Sequence, residues 1–218
     1  MTYDNTHLVS DYIRYVKAVQ RHLRYEAHAL RFAQALEIRV KIGLSNRCHT
    51  EHPDGPVMTV QPWHWGNSDI VRHETAHVLL WWSGLEAEII EEYGEELGWK
   101  VVENLCNFTI SFLKITQPML DSAVLRYGQD AKVVRHLQKI ARATPQQALL
   151  RTVYDDPNGL CAGFMTSGKY IQEVAQCNWS LPFGWLDRVP EPALWFPDEA
   201  KVSFARINSN ATLGMCWG

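Results

Sequence analysis

The pattern His-Glu-x-x-His, formed by His73, Glu74 and His77, constrains this chain more than any other feature of the sequence. It lies in an apolar, helix-compatible run at residues 72–80, and residues four apart lie on one face of an α-helix. The two imidazoles can therefore contact a single metal ion. Glu74 lies on the neighbouring side of that helix, where it can reach a water at the ion without becoming a ligand.

A third metal ligand is needed, because a catalytic zinc usually takes three protein ligands and leaves one position for water. The metzincin pattern is absent, since it needs Gly at position 80 and His at position 83, where this chain has Leu80 and Ser83. No histidine follows until His136, so a carboxylate is expected. Glu103 lies in an apolar helical stretch, where an unpaired carboxylate is costly to bury. The residues alone leave open Glu103 and the charged segment after Gly84, which could equally be a solvated acidic face: Glu86, Glu88, Glu91, Glu92, Glu95 and Glu96.

Length, charge and cysteine content favour a globular protein without a dominant electrostatic partner. The chain has 218 residues and a formal net charge of −3, which does not imply a nucleic-acid partner. Its five scattered cysteines contain no Cys-x-x-Cys, as is typical of free thiols in a reducing compartment. The polar N-terminus has no apolar segment of a secretory signal, and no apolar run could span a bilayer. We expect a cytoplasmic protein with no membrane partner.

Hydrophobic periodicity predicts helices and strands around the motif. Residues 8–36 are predicted to form one helix, and residues 38–42 and 57–62 are predicted to form strands. The motif helix is expected to end near Gly84, and a second helix is predicted at residues 99–113. Strands beside a metal helix suit a peptidase, because an edge strand can hold an extended peptide through its backbone.

The segment 119–156 is predicted to be helical and to contain two short helices that resemble a helix-turn-helix. The second begins at a capping box, Thr144-Pro145-Gln146-Gln147. It offers one arginine and is followed by Asp155 and Asp156, whereas a recognition helix needs more positive charge and base-reading side chains. Packing within the protein is therefore the predicted role of these helices, and direct DNA binding is not expected.

Two sequence blocks together resemble the ImmA/IrrE metallopeptidase family. His73-Glu74-Thr75-Ala76-His77 is followed, 26 residues after His77, by Glu103-Asn104-Leu105-Cys106-Asn107-Phe108 and then by an apolar helix and Gln117-Pro118-Met119. The resemblance covers about residues 10–155. In this family the glutamate that opens the second block is the third metal ligand, which implies the ligand set His73, His77 and Glu103.

The resemblance also implies a fold and a substrate. The expected α+β fold has a minimal gluzincin-like zincin core at residues 1–118, built from a small sheet, the motif helix and a ligand helix. The helix-turn-helix-like segment 119–156 follows, and the composition of residues 157–218 predicts a small β-rich part. Family members cleave a helix-turn-helix (XRE-type) repressor and so switch on stress-response or mobile-element genes. Residues 157–218 look too short for the GAF-like sensor domain of the radiation-response members.

The expected activity is that of a zinc metallopeptidase, with manganese as another acceptable ion. The metal would lower the pKa of its water from about 15.7 toward about 7, and Glu74 would act as general base. The residue that stabilises the oxyanion is left open among Tyr93, Tyr127, His136 and Tyr154. The alternative is a metal-binding regulator that sequesters a repressor without cleaving it, although such a protein would not need the base.

Overall fold

The computed structural model describes residues 6–197 and 200–218, with side chains described from residue 8 onward, and confirms the predicted α+β class. The helices are α1 (Thr6–His22), α2 (Ala29–Ala35), α3 (Asp69–Ser83), α4 (Leu85–Tyr93), α5 (Glu95–Lys114), α6 (Gln117–Tyr127), α7 (Lys132–Ile140) and α8 (Pro145–Val153). The strands are β1 (Arg39–Ile42), β2 (Arg47–His49), β3 (Val57–Val60), β4 (Cys161–Ser167), β5 (Tyr170–Cys177), β6 (Val202–Asn208) and β7 (Ala211–Trp217). Short 3-10 helices span Pro62–His64 and Pro192–Trp195. Among the helices described, none has the length and apolar character needed to cross a bilayer.

The chain divides into two compact units, Met1–Gln117 and Pro118–Gly218. The helix-turn-helix-like helices and the β-rich region both lie in the second unit. The division into a metallopeptidase domain at 1–118, a helical segment at 119–156 and a C-terminal region at 157–218 stays a prediction.

A three-stranded sheet of order β1-β3-β2 lies beside α3 in the first unit. Strand β3 pairs in parallel with β1 and antiparallel with β2, so β3 is central and β2 is an edge. Met58 and Val60 of β3 are buried in one cluster with Val71 and Val78 of α3. The sheet is therefore the surface on which the helix carrying the His-Glu-x-x-His motif is packed.

The single helix predicted at residues 8–36 is wrong at its centre, because α1 ends at His22 and α2 begins at Ala29. Arg24 and Tyr25 between them have φ of +52° and +60°, in the left-handed region. The Tyr25 amide then donates to the Gln20 carbonyl over 2.7 Å, which closes the end of α1. Neither Arg nor Tyr is a typical residue for such a position, so the periodicity of apolar residues passes through the break without marking it.

A four-stranded antiparallel sheet of order β5-β4-β7-β6 forms the second unit together with α6, α7 and α8. This sheet lies in the region 157–218 that the composition predicts to be β-rich: alternating runs at residues 170–174 and 202–207 lie in β5 and β6, whereas the central strands β4 and β7 have no such run. Phe164 of β4 is fully buried, and Gly214 of β7 lies under its ring, where a Cβ atom would overlap the ring carbons. Most of β4 and β7 is buried on both faces, so these strands lack the alternation that marks a half-exposed strand.

The predicted capping box of α8 is confirmed. The Gln147 amide donates to Thr144 Oγ1 over 3.1 Å, and the Thr144 amide donates to Gln147 Oε1 over 3.0 Å. Two amides that no helical carbonyl can reach are satisfied in this way.

Replacing Thr144 with alanine should lower the free energy of unfolding by about 1 kcal/mol, because the first turn of α8 loses the hydroxyl acceptor. Thr144→Ser keeps the hydroxyl and should remain within about 0.5 kcal/mol of the wild type. Chemical denaturation of the three proteins measures both values. Equal stability of the alanine and serine variants would show that the cap contributes nothing.

Candidate metal centre

Three side chains of the first unit converge on one point: His73 and His77 of α3 and Glu103 of α5. The two Nε2 atoms lie 3.2 Å apart, and the Glu103 carboxylate oxygens lie 3.3 Å from His73 Nε2 and 3.4 Å from His77 Nε2. The imidazole planes are almost perpendicular, at 79°. We call these three groups the donor triangle, in which each Glu103 oxygen lies near a different imidazole.

The dimensions of this triangle fit a tetrahedral metal ion. Zinc binds histidine nitrogen and carboxylate oxygen at about 2.0–2.2 Å, and two ligands of a tetrahedron at such distances are about 3.3 Å apart. The observed separations of 3.2, 3.3 and 3.4 Å lie close to this value, with the last two measured to different oxygens of Glu103. Two neutral imidazoles and one carboxylate would leave a fourth position for water or substrate. The residues present therefore could hold zinc, although the ligand role itself stays a prediction.

The electrostatic environment favours a neutral imidazole at His77. Burial lowers the pKa of His77, the nearby Glu103 carboxylate raises it, and His73 lowers it, with burial as the largest effect. Only the neutral form has a lone pair for a metal. Burial thus favours the protonation state of His77 that a metal ligand would need.

Glu74 lies beside the triangle on α3 and is only 7% exposed. Burial raises its pKa to about 7, and repulsion from the Glu103 carboxylate adds to the shift. A cation among the three donors would oppose this rise, because it favours the charged form of every nearby carboxylate. Without a cation, the pKa of the Glu74 carboxyl group is therefore close to neutral pH.

Helix α3 is fixed at both ends. Ser68 Oγ accepts from the Val71 amide over 3.2 Å and caps the first turn. Gly84 ends the helix with φ of +80°, a left-handed conformation that glycine adopts without steric cost. The two histidines lie near the middle of the helix, away from fraying ends.

The register between α3 and α5 is held by a shielded ion pair. Lys114, in the last turn of α5, contacts both Asp69 carboxylate oxygens at 2.9 and 2.8 Å, in the first turn of α3. Arg72 also contacts Asp69 and donates to the Ala27 carbonyl over 2.7 Å. These contacts join the start of α3 to the end of α5, so the two helices run antiparallel, and Glu103 lies opposite the two histidines.

A cleft of about 410 Å³ opens onto the site. Beside the three donors and Glu74 it is lined by Asn46, Arg47, Cys48, Thr50, Glu86 and Trp99. Several of these residues belong to strand β2 and its flanking turns. Strand β2 has three residues and is too short to show a periodic pattern in the sequence. Of the six glutamates in the charged segment only Glu86 lines the cleft, and none joins the donor group.

None of the oxyanion candidates raised by the sequence lines this cleft. Tyr93 ends α4, and Tyr127, His136 and Tyr154 belong to the second unit. Arg47 is the one Lys or Arg among the described residues that line the cleft.

Two thiols near the site, those of the partly buried Cys48 and the buried Cys106, have raised pKa values. Burial raises the pKa of Cys48 to about 12, and Glu74 and Glu86 contribute to the shift. Burial, with repulsion from Glu103 as the next cause, raises the pKa of Cys106 as well. A thiol must lose its proton to bind a metal or act as a nucleophile. Without a metal, both cysteines therefore remain in the thiol form at neutral pH.

Comparison with known proteins supports the fold and does not identify a family. No family model and no curated protein matches the chain. Among solved structures, it is similar to a transcriptional regulator of Mycobacterium tuberculosis, with a TM-score of 0.55 and 14% sequence identity. The similarity covers 99% of this chain and 78% of that one. At this identity the likeness shows a shared fold.

The Asp69–Lys114 contact should stabilise the protein measurably. In Lys114→Met, Asp69 loses a shielded charged partner, so the free energy of unfolding should fall by about 1–3 kcal/mol. Lys100→Met removes an exposed lysine paired with Glu96 at 2.8 Å, and should change stability by less than about 0.5 kcal/mol. Urea denaturation measures both variants. An equal effect of the two substitutions would contradict a special role for Lys114.

Glu103→Ala should weaken zinc binding by more than about 100-fold, because even residues that only orient a ligand change affinity by about 10–100-fold. Competition with a chromophoric chelator measures the dissociation constant. The Glu103 side chain is 53% exposed, so the variant should keep its melting temperature in chelator. Glu88→Ala, an exposed residue of the acidic helix α4, is the matched control and should bind as the wild type does. Unchanged affinity in Glu103→Ala would return the third ligand to the acidic segment.

Proposed function

We propose that this chain is a zinc-dependent endopeptidase whose first unit is a minimal zincin-like core. The observation that carries the proposal is the donor triangle of His73, His77 and Glu103 with a buried carboxyl group, Glu74, beside it. A metal site that only stabilises a fold is usually closed by four protein ligands. Three ligands, an adjacent base and a cleft of about 410 Å³ instead suit a site that admits water and substrate.

Zinc would be held by His73, His77 and Glu103, and manganese could be accepted by the same donors. When bound, the ion would supply Lewis acidity, polarising the peptide carbonyl and making water more acidic. Glu74 takes a proton from the attacking water and later delivers it to the leaving amine. Its pKa of about 7 without a cation reflects a site in which a carboxyl group is partly protonated at neutral pH.

Other residues of the cleft have roles in holding the peptide. Strand β2 is a sheet edge, so its outer backbone groups can pair with an extended substrate. Arg47 on this strand supplies a permanent positive charge, which suits stabilisation of the oxyanion that forms at the scissile carbonyl. Trp99, 45% exposed, offers an apolar ring to a substrate side chain.

The proposed substrate is a helix-turn-helix repressor of the XRE type, and the outcome of its cleavage is expression of stress-response or mobile-element genes. This part of the proposal rests on the resemblance of the two sequence blocks to the ImmA/IrrE metallopeptidases. A repressor gene next to the gene for this chain would name the first substrate to test.

A second candidate function is regulation without cleavage, in which the protein binds a repressor and sequesters it. The structurally similar protein of Mycobacterium tuberculosis is named a transcriptional regulator, and this name suits a regulatory role. The base at position 74 argues for the peptidase, because sequestration needs no proton transfer.

Glu74→Gln should reduce cleavage of the repressor by at least about 1000-fold, because the amide cannot accept the proton of water. Its zinc content should equal that of the wild type. Gel electrophoresis of the repressor after incubation, with and without chelator, measures cleavage, and metal analysis measures zinc. Glu88→Ala is the activity control and should cleave at the wild-type rate.

Two results would oppose this proposal. Cleavage by Glu74→Gln at the wild-type rate would assign the activity to another residue. A stable, uncut complex of repressor with zinc-loaded wild-type protein would favour the sequestering regulator.

A further inference from the structure

A second cleft, of about 900 Å³, lies entirely within the second unit, at the corner formed by the end of α6, helix α7 and the turn before α8. Its lining has no Asp or Glu and contains five Lys or Arg residues, Arg126, Lys132, Arg135, Lys139 and Arg142, together with His136. Between residues 126 and 151 the sequence has six Lys or Arg residues and one acid, Asp130. The near-neutral net charge of the chain therefore conceals a strongly basic surface.

The basic residues of α7 form a regular stripe. Val133, Val134 and Leu137 are buried and fix which face of the helix packs on the protein. Lys132, Arg135, His136 and Lys139 follow at intervals i, i+3, i+4 and i+7, so they lie along the other face. The stripe is about 10 Å long at 1.5 Å per residue, which corresponds to about three phosphates along one strand of a duplex.

The contacts within the cleft leave most of this charge available. Asp130 lies 3.7 Å from Lys132, whose side chain is still 65% exposed. Arg135 donates to the neutral Gln138 amide over 2.8 Å. The Arg126 guanidinium lies over the Tyr127 ring, 5.2 Å from its centroid. Only one of these three basic residues has an acidic partner in these contacts.

Arg142 extends the stripe through an unusual backbone conformation. Its φ is +50°, in the left-handed region that glycine and asparagine adopt more readily than arginine. This turn places a long cationic side chain at the rim of the cleft, after α7 has ended at Ile140.

The neighbouring helix α8 cannot read a base sequence. It occupies the place of the recognition helix in a helix-turn-helix, but its single arginine, Arg151, is fully buried and contacts Asp155 at 2.7 Å. Gln146, also on α8, donates to Glu173 of β5 over 2.9 Å. The element that would give sequence specificity is thus engaged with its own sheet, whereas α7, the helix that crosses the backbone in such motifs, is free to contact phosphates.

We propose that this basic cleft binds the phosphate backbone of duplex nucleic acid without sequence preference. The exposed Lys and Arg side chains suit an extended polyanion rather than an enclosed small ligand, and the buried face of α8 accounts for the lack of base contacts. This activity lies beyond the proposed peptidase function and does not depend on the metal site.

The test is the salt dependence of binding to a fluorescent duplex of random sequence, measured by anisotropy with the full chain. A chelator in all samples removes any metal from His73, His77 and Glu103. Binding of the duplex through a metal at that site is thereby excluded. With three to five phosphate contacts, the slope of log affinity against log salt should lie between about −2.7 and −4.5. A second duplex of unrelated sequence should bind within about threefold.

The double variant Lys139→Gln/Arg142→Asn removes two charges, and asparagine tolerates the left-handed position. The slope should become shallower by about 1.8, and the affinity at 0.1 M salt should fall at least tenfold. Arg142→Lys keeps the charge and should bind as the wild type does. Lys41→Ala/Lys100→Ala removes two exposed lysines of the first unit and is the matched control, with no expected change.

Three outcomes would overturn the inference. Absence of binding at 50 mM salt by the wild type would exclude the site. An equal loss of duplex affinity in the double variant and in the control would show that binding depends on the number of positive charges and not on their position. Polyglutamate and unlabelled duplex can be compared as competitors at equal concentration of charge. If polyglutamate displaces the labelled duplex equally well, the cleft is assigned to an acidic protein partner.

Discussion

The ion pair between Asp69 and Lys114 joins the two helices that carry the predicted metal ligands. The three donors come from two helices. Among the described residues, no covalent bond and no backbone hydrogen bond joins those helices near the donors. The contact between the first turn of α3 and the last turn of α5 opposes a shift of one helix along the other. A shift by one residue would move Glu103 by about 1.5 Å along the axis and turn it by about 100°, which would remove its carboxylate from the two imidazoles.

Much of the donor set could be predicted from the sequence, because its parts are local. His73 and His77 are one turn apart on a helix, so their convergence follows from helical geometry. Glu103 lies on another helix, and the residues alone left it open against the acidic segment until the resemblance to a known family favoured it. The position of Arg47 and Thr50 in the cleft could not be predicted, because a three-residue strand and the turn after it are too short to show a repeating pattern of apolar residues.

The fold could be predicted where burial follows one face, and less well elsewhere. The helix predicted at 99–113 lies inside α5, since its apolar residues repeat at helical spacing. The strands β4 and β7 are covered on both faces, so alternation is lost, and glycines at positions 163 and 214 admit close neighbours in place of side chains. The break after α1 depends on two left-handed residues that composition does not reveal.

The shortness of β2 limits what the metal site could act upon. An edge of three residues presents few outward backbone groups, because alternate residues of a strand point their amide and carbonyl groups the same way. A peptide held there by its backbone alone would dissociate quickly, whatever its sequence. A substrate would need further contacts with the protein to stay bound long enough to be cleaved. An enzyme of this kind would leave most unfolded chains in a cell uncut. It would act on those few proteins that also bind elsewhere on its surface.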